Sequence, residues 1–166
     1  DLFDYYTETY KLPDGSYVNC EIMDTGGLEK YNAINKIYYK RADCVLLVYD
    51  VTNRKSFKEI ENYYIKEIKE LCKQNINVIL VGNKTDLKDK RKITSKEGAD
   101  LAAKNHFYFK ETSCELNSNV ADAFETIIIM SHNEMMKNGE SYTEEKSDIN
   151  KIIKDNEKKL KKKKCC

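Results

Sequence analysis

Three short polar segments hold the residue types from which a binding site can be built. Asn83-Lys84-Thr85-Asp86 follows directly on the apolar string Val78 to Gly82, so an amide, an ammonium and a carboxylate stand at the mouth of a strand. Asp24-Thr25-Gly26-Gly27 closes an earlier string, and Glu111-Thr112-Ser113-Cys114-Glu115 closes a later one. A short carboxylate such as Asp86 accepts two hydrogen bonds side by side. Such bidentate contacts discriminate because a wrong partner leaves a charge unpaired. Taken singly, each segment also reads as a polar turn, and Asn83-Lys84-Thr85 is formally an N-glycosylation sequon, which has no meaning in a cytosolic chain.

The elements that must position these segments follow from hydrophobic patterning. Apolar strings bounded by polar stops predict strands at SYVNCEIM, CVLLVYD, NVILVGN and a short FYF, and the near-continuous character of the middle two suits parallel strands covered on both faces. Between them, SFKEIENYYIKEIKELCKQ places Ile60, Tyr64, Ile68 and Leu71 on one helical stripe, with Ser56 and Glu59 spaced as a capping box. SKEGADLAAKNH, with Ser95 as its cap, and NVADAFETIIIMSHNEMMKN, ending before Gly139, predict two more helices. LPDGS reads as the turn of a first hairpin that adds an antiparallel strand. Alternating strands and helices point to an α/β fold with a doubly wound, mostly parallel sheet, whose ligands sit beyond the carboxyl ends of the strands. All three polar segments then share one rim.

In that order and spacing, D-x-x-G, N-K-x-D and E-T-S resemble the signatures of the small GTPases of the Ras superfamily, from the first residue to about Asn138. The resemblance implies GTP or GDP and Mg2+ as ligands. Asp86 would accept from the ring N–H and exocyclic amine of guanine together, a pair of donors that adenine lacks, which disfavours an adenine-nucleotide kinase. By the same resemblance Asn83 braces the loop and the base, the stem of Lys84 lies on the ring, and the backbone of Ser113 and Cys114 meets the guanine oxygen. Asp24 would hold magnesium through water and the Gly27 N–H would sense the terminal phosphate; alone, Asp24 and its glycines also make an ordinary strand-ending turn. The sequence departs from the family pattern at Cys114 and Glu115, which replace Ala and Lys. Loss of the second lysine stem is expected to loosen the base. Leu28 stands where the family has the water-orienting glutamine, so no catalytic residue is assigned there and GTP hydrolysis is expected to be slow.

No G-x-x-x-x-G-K-[ST] occurs in these residues, and DLFDYY already resembles the family's effector loop and second strand. The family's first strand, which lies mid-sheet, would then be upstream of Asp1. The chain is expected to be a fragment or truncated product of a longer GTPase that folds poorly alone, with exposed backbone edges on the two strands flanking the gap.

Length and charge set the remaining bounds. The chain has 166 residues, 40% of them hydrophobic, enough for one domain, read as residues 1–138, followed by a tail over 139–166. The formal net charge of +1 argues against a nucleic-acid surface but hides the run NEKKLKKKKCC. Apolar residues are sparse after Gly139, so this stretch reads as a disordered polybasic tail with at most transient helix around Ile149 to Ile153. A basic soluble tail is the plain reading of it. Cys165 and Cys166 at the terminus resemble the Cys-Cys ending of the Rab branch, which implies geranylgeranylation, anchoring to the cytoplasmic face of a membrane, and a cytosolic form when extracted. No signal peptide or run of about 18 apolar residues is present. The implied activity is a GTP-binding switch in vesicle traffic or signalling, meeting effector, exchange-factor and activating proteins. The alternative is a degenerate GTPase-like interaction module that does not cycle nucleotide.

Overall fold

The computed structural model describes residues 4–25 and 32–139. Gly27, Leu28, Cys165 and Cys166 lie outside them, as does the stretch from Ile149 to Ile153.

The chain opens with a hairpin of β1 (Asp4–Lys11) and β2 (Tyr17–Asp24), paired antiparallel with Lys11 opposite Tyr17. The turn closes as its sequence predicts. Leu12 N–H donates to Ser16 O at 2.8 Å, Gly15 N–H donates to Leu12 O at 2.9 Å, and Gly15 takes φ +88°, a value that costs glycine little and other residues more. Helix α1 (Asn32–Arg41) leads to β3 (Cys44–Asp50), β4 (Asn77–Asn83) and β5 (Tyr108–Glu111), which form a parallel sheet in the order β3-β4-β5. Among the described residues the hairpin and the parallel sheet are two separate sheets, with no ladder between β2 and β3. Their connection is through side chains.

Strand β4 shows why the sheet is parallel and central. Val78 and Leu80 turn to one face, Ile79 and Val81 to the other, and all four are at most 3% exposed. Burying each is worth about 1.5–3 kcal/mol, so the strand is held from both sides. On the first face lie α2 (Arg54–Glu59), α3 (Ile65–Leu71) and α4 (Ser95–Asn105), contributing Phe57, Ile68 and Leu101, with Ile60 from the turn between α2 and α3. On the second, Ile127 and Ile128 of α5 (Val120–Lys137) pack with Leu12 and Val18 of the hairpin.

Three local expectations need correction. The segment between α2 and α3, Ile60–Tyr64, is a π-turn in which Ile65 N–H donates to Ile60 O. One residue is thereby inserted into the helical count, and Ile65 rather than Tyr64 joins Ile60 and Ile68 in the core. The cap of α2 is Asn53, whose side chain accepts from Lys55 N–H and Ser56 N–H, because Ser56 Oγ is turned back to the carbonyls of Asp50 and Asn53. The cap of α4 is Thr94 with Glu97 as its capping-box partner, one residue earlier than Ser95.

Tyr49 fills the space between β4 and α4. Its hydroxyl is buried without a hydrogen-bond partner among the described residues, and burial first, then the charge of Glu111, pushes its pKa up to about 12. A Cβ on Gly82 would come within 2.8 Å of that hydroxyl, which is why the strand carries glycine there.

Candidate functional site

The loops after β4 and β5 are stitched into one rim. Thr112 N–H donates to Gly82 O at 2.9 Å, extending the β4–β5 ladder past Glu111, and Thr112 O accepts from Thr85 N–H at 3.2 Å and Thr85 Oγ1 at 3.0 Å. Asn83 Oδ1 accepts from Thr112 Oγ1 at 3.0 Å, Cys114 N–H at 3.4 Å and Cys114 Sγ at 3.5 Å. With its oxygen engaged by the neighbouring loop, the Asn83 side chain braces one motif against the other. Asp86 Oδ1 accepts a 2.6 Å bond from Ser113 Oγ, which itself accepts from Leu116 N–H at 3.1 Å. Ser113 is fully buried, so the carboxylate of Asp86 is aimed by a fixed hydroxyl while one of its oxygens keeps its accepting capacity.

The resemblance assigns backbone donors at Ser113 and Cys114, and here the geometry is more specific. Ser113 N–H donates to Ser118 O at 3.1 Å, and Ser118 N–H returns a 2.8 Å bond to Ser113 O. That reciprocal pair commits the Ser113 amide. Ser113 therefore serves Asp86 through its hydroxyl, and the Cys114 amide, weakly engaged at 3.4 Å, is the donor left near the rim.

Lys84 adopts φ +69°, a left-handed conformation that costs a side-chain-bearing residue about 1–2 kcal/mol. Its ammonium lies 2.8 Å from Asp50 Oδ2 at the end of β3, and Asp50 Oδ1 accepts from Thr52 N–H at 2.8 Å and Thr52 Oγ1 at 2.7 Å. Partial burial alone would raise the Asp50 carboxyl. The bonds from Lys84 and Thr52 outweigh it and hold the group below its ordinary range, while the bond to Asp50 raises Lys84. Glu111 makes a bidentate pair with Arg91, at 2.6 and 3.2 Å, tying the start of the second loop to the chain after the first.

Asp24 is the last residue of β2, at the end of the strand where the sequence places it. Among the described residues no three His, Cys, Asp or Glu side chains gather to hold a metal ion. Among the described residues no helix is long and apolar enough to cross a membrane.

The structure thus brings Asn83, Lys84, Asp86, Ser113 and Cys114 together. It also adds residues that motif reading missed. Thr112, within the third motif but given no role there, bonds to Asn83, while Arg91 and Asp50, outside the motifs, pair with Glu111 and Lys84. Their partners lie 29, 20 and 34 positions away respectively, the last being 84 minus 50.

Residues 2–133 match the model of the Ras family. The chain is 36% identical to Ras-related protein Rab-11B of Dictyostelium discoideum over 81% of its own length and 60% of the relative's. It is 38% identical to Ras-related protein Rab-8A of Gallus gallus over 75% and 59%, and 41% identical to GTP-binding protein ypt3 of Schizosaccharomyces pombe over 69% and 53%. The chain therefore spans between half and three fifths of the length of these curated relatives. A family match over most of the chain and relatives above one third identity agree with the stitched N-K-x-D and E-T-S rim: the chain belongs to the Ras family, as a small GTPase of the Rab branch.

Proposed function

We propose that this chain binds guanine nucleotide and works as a GTP-dependent switch on the cytoplasmic face of a membrane. The observation that carries the reading is the Asp86 carboxylate, held by the buried Ser113 hydroxyl at 2.6 Å in a loop tied to its neighbour through Asn83. A carboxylate aimed in this way pairs with the adjacent donors of guanine, whereas adenine leaves it unpaired. The Cys114 amide supports contact with the guanine oxygen, and Asn83 and Lys84 support the base from the loop. Toward the phosphates the chain offers Asp24, with magnesium held through water, and the Gly27 amide. Magnesium in such a site neutralises phosphate charge.

Three finer readings belong to the same proposal. Leucine at position 28 has no group to orient an attacking water, so hydrolysis is slow and the GTP state long-lived. Cys165 and Cys166 carry lipid, and the adjoining lysines each add up to about 1 kcal/mol of attraction to an anionic leaflet. The chain's partners are effector, exchange and activating proteins of vesicle traffic or signalling.

Binding of fluorescent GDP and ADP to the full chain tests the core of the reading. GDP is expected to bind and ADP not, and Asp86→Asn is expected to shift preference from guanine to xanthine. Equal affinities for GDP and ADP refute the assignment. A second reading, a module that keeps the fold and contacts partners without cycling nucleotide, is favoured by Leu28 and Glu115. Effector binding that ignores the nucleotide state would support it.

A further inference from the structure

We propose that Asp50 is a positioning residue for the base site: its carboxylate, fixed by Thr52, holds the Lys84 ammonium and so sets the lysine stem beside the Asn83–Asp86 loop. The inference rests on the guanine-site reading and concerns a residue outside the three motifs.

Asp50 is unusually well fixed for a surface carboxylate. In the β3–β4 register it lies opposite Asn83, and Val51 N–H donates to Asn83 O at 3.0 Å, so the ends of the two strands are tied together. The Asp50 amide donates to Ser56 Oγ at 3.1 Å. Oδ1 accepts twice from Thr52, at 2.8 and 2.7 Å, which leaves Oδ2 aimed at Lys84 Nζ at 2.8 Å. The carboxylate is thus ordered before the lysine arrives, and the entropic cost that makes most exposed ion pairs worthless is reduced to that of the lysine alone.

Lys84 needs such a partner. At φ +69° its backbone departs from the strand, and about half of its side chain is exposed, at 53%. A free lysine there would sample many rotamers. Anchored at Nζ, its four-carbon stem has both ends fixed and forms a preorganised apolar strip at the rim, the kind of surface on which a planar ring can lie. Specificity stays with Asp86, and Asp50 sets how long the base is retained.

The test uses release of a fluorescent GDP from the full chain. Asp50→Asn keeps the Oδ1 contacts with Thr52 and removes the charge facing Lys84. Release should quicken about two- to fivefold, the range expected for a well-ordered exposed pair. Lys84→Met, which keeps a stem and loses the anchor, should do the same, and the double variant should be no faster than either single. Raising ionic strength should quicken release from the unaltered chain and leave Asp50→Asn nearly flat. Lys96→Met, which breaks the exposed Lys96–Asp100 pair of 2.6 Å on α4, should not change release, and this separates local positioning from a general effect of lost ion pairs. An unchanged rate in Asp50→Asn, or effects of the two variants that multiply, overturns the proposal while the guanine site stands. Loss of GDP preference in the unaltered chain overturns both.

Discussion

Replacing Tyr49 by phenylalanine should make this protein more stable. Tyr49 is 1% exposed, and its hydroxyl is buried with no hydrogen-bond partner among the described residues. An unsatisfied buried polar group of this kind costs about 1–3 kcal/mol. The contacts surrendered with the oxygen are worth only about 0.1–0.2 kcal/mol each, and the edge-on ring contact with Phe57, at a centroid distance of 4.9 Å, survives. The net gain is about 1 kcal/mol, a rise of about 2–4 °C in melting temperature for a chain of this size. Urea unfolding followed by circular dichroism measures it, with an unchanged m-value as the check that only stability moved. Two internal controls sharpen the reasoning. With the pKa pushed up to about 12 in the folded state against an ordinary value of 10, the unfolded chain ionises first as pH rises. The contribution is therefore complete below pH 10 and lost between 10 and 12, and Tyr49→Phe should lack that part of the decline. Gly82→Ala, whose Cβ would lie 2.8 Å from the hydroxyl and 3.0 Å from ring Cζ, should destabilise by about 1–3 kcal/mol, and less in the Tyr49→Phe background. Destabilisation by Tyr49→Phe would falsify the account, since it would mean that the hydroxyl has a partner such as a bound water.

Four other outcomes are expected. Ser113→Ala removes the 2.6 Å bond to Asp86 and should lower both stability, by about 1.5–3 kcal/mol, and preference for guanine, read by urea unfolding and nucleotide competition. Glu97 is held down to about 2 by the bond from Arg54 and by the Thr94 capping box, so the stability it adds is present above its ordinary value of 4.5 and fades as pH falls toward 2. Glu97→Gln should flatten that acid limb of the melting profile. Cys20 and Cys72, pushed up to about 11 by burial, should react with iodoacetamide far more slowly than exposed Cys114 when labelled peptides are mapped by mass spectrometry, and comparable rates would refute the burial argument. Leu28→Gln should raise single-turnover GTP hydrolysis by about tenfold or more, and no change would show that residue 28 does not orient the attacking water.

The amino-acid order alone determined the strand strings, since the apolar runs CVLLVYD and NVILVGN coincide with the observed strands Cys44–Asp50 and Asn77–Asn83, but only the second is buried on both faces, Val48 of the first being 52% exposed. It also determined that Asn83, Asp86 and Ser113 share a rim, since all follow parallel strands. Helix starts were less legible: several residues near each start can accept a backbone N–H, and Asn53 and Thr94 prevail over Ser56 and Ser95 through the contacts the neighbouring side chains make. The shift from Tyr64 to Ile65 was hidden, because Tyr64 stands at the regular helical spacing from Ile60 while the π-turn moves the core position one residue on. Only the tertiary structure decided which polar atoms meet: Ser113 Oγ with Asp86, Thr112 with Asn83, Asp50 with Lys84. Motifs record which chemical groups stand at the ends of strands. The distances between those groups depend on strand register and loop conformation, which are settled by packing across the whole sheet.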